Sequence, residues 1–258
     1  MLHTLHASSN GYKKIKIRSN DTDVIVLGVS VVNTIDAEEL WIMHGSGKNI
    51  QNVPAHAIAT SLGVDKSTSL PMFHALTGCD TVSYFGGRGK KTAWDVWKVY
   101  PQLTIELNTL ITSPECITER SKDVIERFVV LLYDRTSGKQ RVNDLRCELF
   151  TKRSRTIDNI PPTQAALHEH IKRAVYQGAY VWGRTLLKKP TLPCPSDGGW
   201  CQEDSHWTPH WSSLPQAKDT CYELIKCGCK VGCKGRCKCL KANLVCTALC
   251  KCGGNCNQ

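Results

Sequence analysis

Acidic side chains are missing from both ends of this chain: none precedes Asp21 and none follows Glu223. The first twenty residues instead carry Lys13, Lys14, Lys16 and Arg18, and the last stretch carries Lys230, Lys234, Arg236, Lys238, Lys241 and Lys251. An end that is cationic and unopposed does not suit a cationic partner, and it suits a polyanion. The sequence also lacks any run near the roughly 18 apolar residues of a membrane span, and its N-terminus has no apolar signal segment. No membrane contact is expected, and the expected setting is intracellular. In a reducing compartment cysteines pair rarely, so the 15 present are read as metal ligands or ordinary thiols and not as a disulfide framework.

What is present fits one sizeable core plus a small module: 258 residues, 41% hydrophobic, with a formal net charge of +10. The charge count treats every cysteine as neutral, so metal-bound thiolates would lower it. Six cysteines are scattered and nine lie between Cys227 and Cys256.

The stretch Gly78–Trp97 joins a lone carboxylate to a glycine-rich turn. Asp80 closes the apolar run of Leu70, Met72, Phe73, Ala75 and Leu76, and offers a hard oxygen of the kind Mg²⁺ or Mn²⁺ prefers. Gly86, Gly87 and Gly89 lack Cβ atoms, so their N–H groups can approach a phosphate. A helix over 92–100 follows, and Arg88, Lys90 and Lys91 add charge. A solvated turn is the commoner origin of such a cluster. Upstream, Tyr12–Arg18 alternates as a strand does, and Asp21 and Asp23 lie just past its end, where two carboxylates could face a shared ion. The competing reading makes Asn20 or Asp21 a cap for the following turn.

Leu40–Met43 reads as a short buried strand, and the HGSGKN after it makes a turn at Gly45 and Gly47. It is not a phosphate loop, because Ile42 and Asn49 occupy positions that need Gly and Ser or Thr. Helices are expected over 53–62, 102–111, 121–133, 143–152 and 163–182, the last with Leu167, Ile171, Ala174, Val175 and Trp182 on one stripe. Lys152, Arg153, Arg155, Lys172 and Arg173 could extend a phosphate track or simply be solvated. His74 and Cys79 fall on different helix faces and make a poor nucleophile pair. Residues 187–222 read as a Pro- and Trp-rich linker that packs in places. Cys194, Cys201, His206 and His210 within it are too widely spaced for an ordinary zinc site.

Cys227, Cys229, Cys233, Cys237, Cys239, Cys246, Cys250, Cys252 and Cys256 give the pattern C-x-C-x3-C-x3-C-x-C-x6-C-x3-C-x-C-x3-C. So short a segment cannot bury an adequate core, and zinc thiolate cross-links supply the missing stability. About three Zn²⁺ need twelve ligand positions at four each. Nine thiolates fill them if three bridge two metals and six are terminal. The cations interleaved with these cysteines point to phosphate binding, with DNA as the expected partner; zinc storage and protein docking are the rival readings.

Two resemblances follow from these motifs. The order of DTDV, HALTGCD and GGRGKKTA resembles the end of the catalytic core in the flap endonuclease and XPG group of PIN-like nucleases. The nine cysteines resemble the tesmin-type CXC domain, a DNA-binding cysteine-rich module. Together they are similar to a multi-copy group of animal proteins for which a mobile-element origin is the expectation. The resemblance implies an α/β fold: a truncated PIN-like core with a helix-two-turn-helix and helical extension over 1–186, and a CXC module with little regular structure over 223–258. It implies Asp21, Asp23 and Asp80 as catalytic ligands of Mg²⁺ or Mn²⁺. Gly86, Gly87, Arg88, Gly89, Lys90 and Lys91 would grip a DNA backbone, alongside Lys230, Lys234, Arg236 and Lys238 of the module. Two departures stand out. The CXC family places an aromatic between the third and fourth cysteines, where this chain has Lys234, Gly235 and Arg236. The nuclease family brings a glutamate-bearing helix before the first strand, and Met1 is expected to open inside that helix. Three aspartates would hold one ion where phosphodiester cleavage uses two. The expectation is a nuclear, zinc-dependent DNA-binding protein with an incomplete nuclease-like core; the alternatives are an active metal-dependent nuclease and a chromatin scaffold that binds proteins.

Overall fold

The computed structural model describes residues 1–151, 159–212, 226–230, 233–241 and 244–254. A short helix, α1 (Leu2–Ser9), leads into β1 (Lys14–Arg18), whose alternating Ile15 and Ile17 pack on the sheet core. The next segment, α2 (Thr22–Val31), is helical although its Val and Ile content favours a strand. Asp21 starts it: its Oδ1 accepts the Asp23 N–H at 2.9 Å, a side-chain N-cap. Gly28 lets this helix lie directly on the sheet, since a Cβ there would stand 2.5 Å from Ile42 Cδ1.

Strand β2 (Glu39–His44) pairs parallel with β1, and β3 (Gln51–Pro54) pairs antiparallel with β2, giving the order β1-β2-β3. The helix expected over 53–62 therefore starts later, as α3 (Ala55–Leu62). Val53 and Pro54 belong to the strand, opposite Ile42 and Trp41. The fold is mixed α/β, as expected.

Helix α4 (Val64–Leu76) leaves the sheet and enters a second, larger core built from helices. Two hydrogen-bonded turns join it to α5 (Lys90–Val99): Val82 N–H to Cys79 O at 3.3 Å, and Arg88 N–H to Phe85 O at 2.9 Å. Val82 and Phe85 are buried and pin both turns to the core. Gly78, at φ +109°, permits the reversal. A Cβ there would meet the Tyr84 Cβ at 2.7 Å, so glycine is what allows the loop to fold back on itself.

Helices α6 (Gln102–Thr112), α7 (Glu119–Tyr133), α8 (Val142–Thr151) and α9 (Gln164–Val175) complete the wall. The stripe of Leu167, Ile171, Ala174, Val175 and Trp182 is buried as expected, but after Val175 the helix widens to π geometry over Tyr176–Trp182. Gly178 there presses on α4, where a Cβ would be 2.8 Å from the Met72 Cα. Fully buried Glu126 accepts from Arg141 Nη1 (3.0 Å), the Val142 N–H (2.8 Å) and Gln164 Nε2 (3.1 Å), tying α7 to α8 and α9. The described part of the Pro- and Trp-rich stretch holds a short hairpin, β4 (Trp200–Glu203) and β5 (His206–Pro209), and reaches α9 through Arg173. The cysteine module has one helical turn, Lys238–Lys241, among its described residues.

Candidate metal centre and the two-turn loop

In the module the close spacing of C-x-C and C-x3-C folds the backbone around its own sulfurs. Cys227, Cys237, Cys239, Cys246 and Cys250 are buried, and Lys226, Lys230, Lys234, Arg236, Lys238, Lys241 and Lys251 are exposed. Three sets of four sulfurs each lie within 4.8 Å of one another: Cys227, Cys239, Cys246 and Cys250; Cys227, Cys233, Cys246 and Cys252; and Cys227, Cys229, Cys233 and Cys237. The closest Sγ···Sγ distances run from 3.5 Å (Cys233 to Cys246) to 3.9 Å (Cys233 to Cys252). A disulfide would need about 2.0 Å. A tetrahedron with Zn–S bonds of about 2.3 Å has edges of about 3.8 Å, so these separations suit tetrathiolate metal sites.

The three sets overlap in a definite way. Cys227 belongs to all three, Cys233 and Cys246 to two each, and Cys229, Cys237, Cys239, Cys250 and Cys252 to one. Shared sulfurs are what a multi-zinc cluster requires, so Cys227, Cys233 and Cys246 are the bridging candidates. Cys256, expected as the ninth ligand, lies outside the described residues, as do Lys152, Arg153 and Arg155. Burial pushes the Cys227 thiol up to about 12, whereas the Leu240 N–H draws Cys237 down to about 6. Metal binding ionises such a mixed set together, releasing protons.

The aspartates behave differently. Asp21 caps α2. Asp23, on the first turn of that helix, has its Oδ1 2.9 Å from His74 Nε2 on α4. Burial lowers the His74 pKa, so the ring is neutral near pH 7 and donates its Nε2–H to the carboxylate. Asp80 is exposed on the first turn of the α4–α5 loop. The structure does not bring Asp21, Asp23 and Asp80 to ligand distance of one another: among the described residues, the metal-sized groups of Cys, His, Asp and Glu contain cysteines alone. From sequence His74 offers only a poor nucleophile pair with Cys79. Its pairing across 51 positions has no local signal.

The three loop cations also take unequal roles. Lys90 donates to His74 O (3.0 Å), Thr77 Oγ1 (3.2 Å) and Gly78 O (2.5 Å), using all three ammonium N–H groups to close the C-terminal end of α4. Burial lowers its pKa. Arg88 lies over the Tyr133 ring at 4.8 Å and donates to Gly87 O at 3.1 Å. Lys91 is exposed and makes no hydrogen bond or ion pair among the described residues. Gly87 adopts φ +66°, and α5 starts at Gly89 without a side-chain cap, so its first N–H groups face outward beside Lys91.

Compared with protein-family models, with curated proteins and with solved structures, the chain gives no match. The α/β fold and the tetrathiolate module therefore stand on their own geometry.

Proposed function

We propose that this chain is a zinc-dependent DNA-binding protein that acts in the nucleus and carries a nuclease-like, catalytically incomplete core. One observation carries the reading: the module turns its sulfurs inward and all seven of its described basic side chains outward, with no acidic side chain after Glu223. Three Zn²⁺ with nine thiolates leave a net −3 at the centre, which seven cations outweigh. The resulting surface suits a phosphate backbone and carries little sequence information.

The α4–α5 loop supports the same reading more weakly. Lys91 and the uncapped start of α5 offer a phosphate contact there, whereas Lys90 and Arg88 serve the loop itself. The placement of the carboxylates weighs against a two-ion nuclease, because among the described residues no three of them lie within ligand distance of one another.

Chelation tests the proposal. The zinc-loaded full chain should bind a labelled duplex, lose that binding on removal of zinc, and regain it with Zn²⁺ but not with Mg²⁺. Duplex binding that survives complete zinc removal would overturn the assignment to the module. Absence of any duplex binding by the loaded chain would favour a protein-binding scaffold.

A further inference from the structure

Solvent reaches the sulfurs of the module unequally. Cys227, Cys237, Cys239, Cys246 and Cys250 are buried, whereas Cys229, Cys233 and Cys252 are partly exposed. A reagent in solution meets the second group first. Two of these partly exposed sulfurs have close sulfur neighbours: Cys233 lies 3.5 Å from Cys246 and 3.7 Å from Cys227, and Cys252 lies 3.7 Å from Cys227 and 3.9 Å from Cys233. A disulfide needs about 2.0 Å, so each pair would have to close by less than about 2 Å.

What such a bond would cost the metal centre follows from the sharing of ligands. A Cys233–Cys246 disulfide withdraws a sulfur from all three tetrathiolate groups, because Cys246 serves the first two and Cys233 the last two. Any disulfide through Cys227 also reaches all three, since Cys227 belongs to each. A Cys233–Cys252 disulfide reaches two. All four close pairs therefore break more than one group at once. Separate tetrathiolate sites that shared no sulfur would instead be broken one by one.

The chemistry is thiol–disulfide exchange. A cysteine sulfur attacks one sulfur of an external low-molecular-weight disulfide and expels the other as a thiolate. A neighbouring cysteine sulfur then attacks the mixed disulfide at the protein sulfur and expels the second thiolate. Two protein thiolates are oxidised, the external disulfide is reduced to two thiols, and zinc leaves as Zn²⁺ without changing its redox state. The module folds through its metal, so its exposed cations lose their arrangement when the metal goes.

We propose that Cys233 and Cys252 are modification sites through which a low-molecular-weight disulfide oxidises the module, and that one disulfide formed there releases more than one zinc ion and abolishes DNA binding. The proposal rests on the zinc-dependent DNA-binding reading above and adds its regulation.

The zinc-loaded full chain is titrated with oxidised glutathione. A chromophoric indicator counts the zinc released, peptide mapping without reduction counts and locates the disulfides, and duplex binding is followed in the same samples. The first disulfide within the module should contain Cys233 or Cys252, and two or three zinc ions should leave for each such bond. Duplex binding should be lost in step with zinc and return with dithiothreitol and Zn²⁺. Glutathione attached to Cys116, Cys147 or Cys194, which are exposed and outside the module, should release none.

Release of one zinc or less per module disulfide, or a first disulfide between the buried Cys239 and Cys250, would overturn the proposal while leaving zinc-dependent DNA binding intact. A zinc-loaded chain that binds no duplex before oxidation would overturn the DNA-binding reading, and the ratio of zinc to disulfide would still decide the oxidation sites. A chain that takes up no zinc would overturn both.

Discussion

His74 and Asp23 meet across the junction of the two cores, Nε2 to Oδ1 at 2.9 Å, and this hydrogen bond orients the carboxylate toward α4. Asp21, two positions earlier, uses its Oδ1 to cap α2, and among the described residues no three carboxylates lie within ligand distance of one another.

Little or no metal-dependent cleavage is therefore expected. A cation at a hundred times its dissociation constant stabilises a protein by about 2.7 kcal/mol. Mg²⁺ or Mn²⁺ at millimolar concentration should produce no shift of that size in the unfolding of the core. Flap or branched DNA should be cut very slowly or not at all. Robust cleavage abolished by Asp80→Asn would show instead that this chain is an active nuclease.

The zinc content follows from the sharing of sulfurs. Native mass spectrometry of the full chain should show about three zinc ions. Cys246→Ser should remove more than one of them, because Cys246 belongs to two tetrathiolate groups, whereas Cys252→Ser touches one group. Equal zinc loss from both variants would contradict the bridging assignment, and a single bound zinc would contradict the cluster.

The sequence disclosed these features unevenly, for physical reasons. The eight described cysteines of the module were legible because their pattern is confined to one short segment, Cys227 to Cys252, whose sulfurs can gather around metals without help from the rest of the chain. Strands β1 and β2 were legible from Ile15, Ile17 and the LWIM run. Helix α2 was not, because VIVLGV favours a strand and only its burial against Ile42, together with the Asp21 cap, settles it as a helix. The π turn after Val175 depends on how closely Gly178 meets Met72, an approach between helices about a hundred positions apart. Lys90 illustrates the same limit within a site: its position beside three glycines suggests a phosphate ligand, yet its ammonium finds the carbonyls of α4.

Acid should loosen the packing of α4 on α9. His170 is neutral in the folded chain, with its pKa lowered to about 4 by burial, against an ordinary value of about 6.5. The unfolded chain therefore binds the proton first, and the stability associated with a neutral His170 is present above pH 6.5 and declines as pH falls toward 4. The full difference is on the order of 3 kcal/mol. Chemical denaturation of the core at several pH values checks this: the parent should weaken across that window, and His170→Gln should show a flatter profile. An identical pH dependence in both would assign the acid sensitivity elsewhere.

The central claim is that exposed cations on a zinc-folded module bind the DNA backbone, and the salt dependence of affinity tests it most directly. For the zinc-loaded full chain on duplex DNA, the logarithm of the binding constant should fall linearly with the logarithm of salt concentration. Lys234→Ala with Arg236→Ala should weaken binding and flatten that slope by about one unit for each phosphate no longer neutralised. An affinity independent of salt, or a slope unchanged by removing both side chains, would contradict the claim.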